Sequence, residues 1–231
     1  MMTPVLLLAS NSPRRRELIA LGGWKFIINP ANIEEVRKAN ESPTQYVLRL
    51  AETKAREVAN QAQPGWLVVG ADTIVVDDTS SGAEILEKPT NQSDAFRMLA
   101  QLRNRSHQVL TALAVLDPID DRLLIDICVT EVVMRSFTNE EISAYVASGD
   151  PMDKAGAYAI QDATFQPVDH LEGCYASVMG LPLCHLQRTL FQFGSFTEKD
   201  IPQACQETLK YNCPVYEVIL DGSLVNHLVS S

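Results

Sequence analysis

The sequence predicts an α/β fold with a mixed sheet, and three observations predict it. Short apolar runs alternate with stretches of helical spacing along the chain. Residues 66–71 are apolar throughout, as in a central strand buried on both faces. Two further strand-like runs, 107–116 and 122–137, are joined by an Asp117-Pro118 turn and therefore pair antiparallel. At 231 residues the chain can bury one sizeable core, as one domain or one domain with two lobes.

In order, residues 5–9 read as an opening strand. Ser12 is a good N-cap and Pro13 suits the first helical position. That helix runs to about Leu21, where Gly22-Gly23 stops it. Residues 24–28 form a second strand, and Glu34-Glu35 lies in the loop after it. Ser42-Pro43-Thr44-Gln45 is a capping box, followed by a helix with Val47, Leu50, Ala51, Ala55 and Val58 on one side. Pro64-Gly65 breaks the chain before the 66–71 run. Asp72-Thr73 interrupts that run, and Ile74-Val75-Val76 resumes it. Residues 78–84 read as a polar hairpin tip, and Ala95, Met98, Leu99 and Leu102 mark a third helix. Thr138-Asn139-Glu140-Glu141 is another capping box, opening a helix through Tyr145 that ends at Gly149. Residues 173–180 read as a glycine-bounded loop or strand. A helix follows with Leu183, Leu186, Leu190 and Phe193 inward. Beyond Gly194, Ile201, Cys205 and Leu209 hint at one more helix, 216–220 at a last strand, and 222–231 at a loose end.

Composition narrows the function. A net charge of −10 argues against a general nucleic-acid binder, which would carry a basic surface. It leaves room for a phosphorylated ligand in a local basic pocket. Five cysteines, with no C-x-x-C spacing, read as reduced thiols of a cytoplasmic protein. The apolar start is too short for a signal peptide, and no run approaches the ~20 apolar residues of a membrane span. Walker A, G-x-G-x-x-G, G-x-S-x-G and H-E-x-x-H motifs are all missing.

Four features carry chemistry. Arg14-Arg15-Arg16 fills the first turn of a helix, the end that already bears positive partial charge. A docked anion would turn that cost into a gain; otherwise the arginines reach solvent or acidic neighbours. Lys54 falls on the apolar face of its helix, where its ammonium either snorkels to water or enters a pocket. Asp72 is a carboxylate inside an apolar run, expensive unless it caps a turn, meets a partner, works in catalysis or binds metal. Asp153-Lys154 is a surface ion pair or part of a close-approach segment with Ala155, Gly156 and Ala157. His107 reads as a structural residue at a strand edge.

Taken together, these segments resemble a known family. Ala9-Ser10-Asn11-Ser12-Pro13-Arg14-Arg15-Arg16-Glu17-Leu18 is similar to the A-S-x-S-P-R-R-x-E-L signature of the Maf nucleotide pyrophosphatases. The segments 49–55, Ala71-Asp72-Thr73, Lys88-Pro89, 153–161 and Gly180-Leu181-Pro182-Leu183 match its later motifs in order. The match covers roughly residues 5–193. Residues 1–193 then form the Maf-like domain, and 194–231 a C-terminal extension without an assigned role.

The resemblance implies a curved mixed sheet with two lobes flanking a cleft, similar also to inosine triphosphate pyrophosphatases. It implies a cytoplasmic enzyme, often a homodimer, that cleaves a nucleoside triphosphate between its α- and β-phosphates with magnesium or manganese. Asp72 matches the general base, and Glu35 and Asp72 fall where the metal is held. Lys54 and Lys88 match catalytic lysines at the phosphates. Ser10, Ser12, Arg14, Arg15, Thr73, Asp153, Lys154 and Gln161 fall at substrate-binding positions. Among these, Arg14, Thr73 and Gln161 match the branch that prefers dTTP and UTP. Glu87 and Asp162 add negative charge beside that expected anion site. Two rival readings are an inosine/xanthosine triphosphate pyrophosphatase and a nucleotide-binding regulator of septum formation with little catalysis.

Overall fold

The computed structural model describes residues 4–80 and 82–222. The elements, in order, are β1 (Leu6–Leu8), α1 (Pro13–Leu21), β2 (Phe26–Ile28), α2 (Pro43–Val58), β3 (Leu67–Thr79), β4 (Gly82–Leu86), α3 (Gln92–Leu102) and β5 (Ser106–Asp117). There follow β6 (Arg122–Met134), α4 (Asn139–Ala147), β7 (Val168–Glu172), α5 (Tyr175–Val178), α6 (Leu183–Gln192), α7 (Ile201–Leu209) and α8 (Tyr216–Leu220).

The sheet is mixed, as the sequence predicts. Its main order is β2-β1-β3-β5-β6-β7, with β4 paired to β3 off that path. β1 runs parallel to both β2 and β3, and every other pairing is antiparallel. One edge of β3 is taken by β5 from Val68 to Val76. The opposite edge is therefore shared. β1 covers it as far as Val69, and β4 covers it from Val75. Between them, residues 70–74 meet no strand on that side among the described residues, and the sheet forks. Asp72 and Thr73 sit at the fork.

Apolar packing follows the strand period of two. Leu6 and Leu8 face a core with Val69, Leu186, Ile201 and Ile219, while Leu7 faces the opposite core with Leu50, Ala55 and Val68. A third cluster, around Leu86, Leu99, Val132, Ile142 and Phe165, supports the far side of the fork. The first two cores thus cover the two faces of one sheet, and the third packs around α3 and α4. Among the described residues no helix is long and apolar enough to cross a membrane.

Several local expectations change. Asp72-Thr73 does not interrupt a strand: β3 passes through both, because β5 supplies continuous ladder partners, Asp72↔Ala112 and Thr73↔Thr111. The polar hairpin tip is tighter than expected, since β3 and β4 extend to Thr79 and Gly82. Residues 173–180 contain the single-turn helix α5, and β7 just before it is an unexpected edge strand. Residues 216–220 are helical, not a strand. Ile219 docks into the core while its neighbours stay partly exposed, which a helical turn permits. The segment after Gly194 packs through Ile201 and Ile219 onto the same core as β1 and β3. Of the loose end expected over 222–231, all but Gly222 lies outside the described residues.

Candidate active site

The arginine turn is built first by its cap. Ser12 has extended backbone, and its hydroxyl accepts from the Arg15 amide at 3.4 Å. Pro13 follows at the first helical position. Ser10 Oγ, in the loop from β1, accepts from the Ser12 amide at 3.2 Å and from Arg15 Nη1 at 3.2 Å. Arg15 completes its fork with Nε to the Gly180 carbonyl at 2.8 Å and Nη2 to Thr73 Oγ1 at 3.2 Å. All three acceptors are neutral, so the guanidinium is aimed without being neutralised. Burial pulls its pKa down, and Asp72 and Glu35 push back. Guanidinium stays protonated throughout.

Thr73 has its hydrogen-bond directions set by its neighbours. Thr111 Oγ1 donates its one hydrogen to the Ser177 carbonyl at 2.8 Å. Thr73, 3.0 Å from Thr111 Oγ1, must then donate to it, which leaves Thr73 to accept from Arg15. Arg14 approaches Asp153 at 3.6 Å.

α2 brings the next group. Its capping box is formed on both sides, Gln45 amide to Ser42 Oγ and Ser42 amide to Gln45 Oε1. Close contact with β3 depends on Gly70: a Cβ there would lie 2.2 Å from the Ala51 carbonyl oxygen. This approach places the Lys54 ammonium 2.6 Å from Asp72 Oδ1 and 2.6 Å from Glu35 Oε1. Lys54 and Asp72 are only 8% and 5% exposed. Burial raises the Asp72 pKa against the opposing fields of Lys54 and Arg15, and Glu35 adds to the rise. Glu35 goes the other way. Burial works to raise it, but the fields of Lys54, Lys88 and Arg15, with the Lys54 bond, leave it lowered. Asp72 and Glu35 are thus hard oxygen donors gathered about one cationic centre, and these two could hold a metal. Among the described residues no group of three or more metal-ligating side chains forms.

All the site residues named from the sequence line one cleft of about 620 Å³, a volume suited to a small-molecule ligand. Lys88 and Gln161 reach it with no hydrogen bond or ion pair of their own among the described residues. Lys154 is different. It is buried, and its ammonium bonds Asp150 twice and Asp153 once, all within its own turn. Its three donors are taken, so it stiffens the segment carrying Asp153. That segment also turns at Gly156, φ +67°, where a Cβ would press on Val75. The amide of Gly156 bonds the Glu87 carbonyl at 3.1 Å, tying the segment to Lys88. His107 is buried and bonds Tyr158 at 2.7 Å, beneath the same segment, consistent with a structural part. Asp162 turns its carboxylate onto the Thr164 and Phe165 amides, so part of its charge is used locally.

Sequence reasoning missed Tyr46. Its hydroxyl lies 2.7 Å from Glu87 Oε1 and 3.1 Å from the Glu35 carbonyl, joining two loops of the cleft. Burial and then the Glu87 bond push its pKa up. A signal existed: Tyr46, Leu50 and Lys54 are four residues apart and share one face of α2.

The model of the Maf-like protein family matches residues 5–193. The dTTP/UTP pyrophosphatase of Geobacter sulfurreducens is 45% identical over 190 residues, 82% of this chain and 97% of that protein. That of Photorhabdus laumondii is 45% identical over 193 residues, 84% and 96% of the two chains. That of Escherichia coli O157:H7 is 45% identical over 195 residues, 84% and 95%. Among solved structures, the Ham1 protein of Staphylococcus aureus superposes with a TM-score of 0.39 at 14% identity, covering 71% of this chain and 90% of that one. So loose a likeness adds nothing to the site. The family match spans most of the chain, and the relatives agree with it over nearly their full length: this protein belongs to the Maf-like family.

Proposed function

We propose that the protein hydrolyses dTTP and UTP between the α- and β-phosphates, releasing the monophosphate and pyrophosphate. The observation that carries this is the convergence of Arg15, Lys54 and Lys88 with Asp72 and Glu35 in one cleft. Relatives named dTTP/UTP pyrophosphatases support the substrate, and Arg14, Thr73 and Gln161, the residues that the resemblance links to that preference, are part of the cleft lining.

The residues divide the work. Arg15, aimed by neutral acceptors, offers its fork to phosphate oxygens, and Lys88 adds a mobile point charge. In the nucleotide-free protein Asp72 turns Oδ1 to Lys54, and Oδ2 is the oxygen left to take a proton from water when substrate is bound. Asp72 and Glu35 fit magnesium or manganese, since both are hard oxygen donors already within 2.6 Å of one cation. When bound, that ion would neutralise phosphate charge and orient the triphosphate. A cytoplasmic setting and a homodimer belong to the same reading, supported by the five free thiols and the family resemblance respectively.

A nucleotide panel in ¹⁸O-labelled water tests the proposal. Expected are pyrophosphate and monophosphate in equal amounts from dTTP and UTP, with one ¹⁸O in one of the two products. Release of inorganic phosphate, or preference for ITP, overturns it.

A further inference from the structure

We infer that in the nucleotide-free protein the Lys54 ammonium occupies the cation position between Asp72 and Glu35, so the divalent ion enters only as its chelate with the nucleotide. This rests on the reading of Asp72 and Glu35 as the metal carboxylates. Lys54 Nζ stands 2.6 Å from each of the two oxygens that a metal would need. The ammonium cannot drift away cheaply. It is 8% exposed, on a helix that Gly70 clamps to the strand carrying Asp72.

A bare divalent ion therefore meets two carboxylates already neutralised by a fixed positive charge. Among the described residues it also finds no third carboxylate, thiolate or imidazole grouped with these two; Glu87, in the same cleft lining, is bonded to the Tyr46 hydroxyl. A hard divalent ion wants about six oxygen ligands. Two protein ligands in competition with an ammonium do not satisfy that demand.

A triphosphate changes both sides of this balance. Its oxygens complete the coordination shell of the ion they carry. They also give the Lys54 ammonium an anionic partner to turn towards, so the lysine can leave the carboxylates without losing its compensation. Lysine suits the part because its ammonium is a compact charge on a flexible stem. The ion and the nucleotide then bind with positive coupling, which by linkage is the same seen from either ligand. Lys54 would act twice: as stand-in for the metal before substrate arrives, and as a phosphate ligand afterwards.

The test uses Mn²⁺ alone, followed by its electron paramagnetic resonance signal as it is titrated into the full chain. The wild type should bind it weakly. Lys54→Met should bind it about tenfold more tightly or better. Lys54→Met/Asp72→Asn should lose that gain. Lys54→Gln serves if the methionine variant does not fold, and circular dichroism checks each. A measurement on the wild type alone also decides. The Mn²⁺ chelate of a non-hydrolysable α,β-methylene dTTP should show protein-dependent water-proton relaxation enhancement where Mn²⁺ alone shows little. Tight, Asp72-dependent binding of Mn²⁺ to the nucleotide-free wild type overturns the inference, as does no gain in either lysine variant. Full turnover in a chelator, with no divalent ion, overturns the underlying metal reading instead.

Discussion

Arg15 sets three donors on three neutral oxygens, and no lysine can reproduce that planar fork. Arg15→Lys should keep the fold by circular dichroism and lower kcat/KM for dTTP about 10²-fold, the scale of one lost preorganised donor. A variant within a factor of three of the wild type would remove Arg15 from the site. Asp72→Asn is the companion change at the base. It preserves shape, leaves Lys54 an acceptor and removes the proton sink, so turnover should fall at least about 10²-fold. Near-normal pyrophosphate release by this variant would reject Asp72 as base. Tyr46 acts at one remove, since its hydroxyl bridges Glu87 and the Glu35 loop without touching Asp72 or Lys54 in the described geometry.

At the scale of elements, the pairing of α2 with β3 decides whether there is a site at all. Lys54 and Asp72 lie 18 positions apart and meet because the helix backbone approaches the strand at Gly70. Gly70→Ala places a methyl 2.2 Å from a backbone oxygen, which no rotamer relieves. Overpacking of this kind costs about 1–3 kcal/mol. Activity should fall further than stability does, because the same shift pulls the ammonium off the carboxylates. Urea unfolding read beside turnover checks this, and parallel losses would contradict it. The α2 cap gives a contrasting control. Ser42→Ala removes one arm of a capping box that does not line the cleft and should cost about 1 kcal/mol, with kcat for dTTP unchanged in the folded fraction.

For the whole molecule, two buried imidazoles govern response to acid. His107 and His185 are 3% and 4% exposed, and burial depresses both pKa values to about 4. In the unfolded chain they take protons near the ordinary 6.5, so between pH 6.5 and 4 the unfolded state binds more protons than the folded one. Stability is thus fully present above pH 6.5 and drains away as pH falls through that window. The loss approaches about 3 kcal/mol for each imidazole. Urea midpoints between pH 7.5 and 5 should fall less steeply in His185→Gln than in the wild type; equal slopes would show that His185 does not contribute.

Much of this protein can be derived from residue order alone. The local signals were strong: Ser12-Pro13, both capping boxes, the helical spacing of α2, α3 and α6, and the Asp117-Pro118 hairpin each act over a few residues. The misreadings fall where a distant partner decides. Strand β3 tolerates Asp72 because β5 continues its ladder, and residues 216–220 coil because Ile219 has a core to reach. Residue order also names the cations and carboxylates, yet it leaves open whether they meet. That was decided by the fork in the sheet and the close seat of α2, because opposite charges act over a few ångströms in space whatever their separation along the chain.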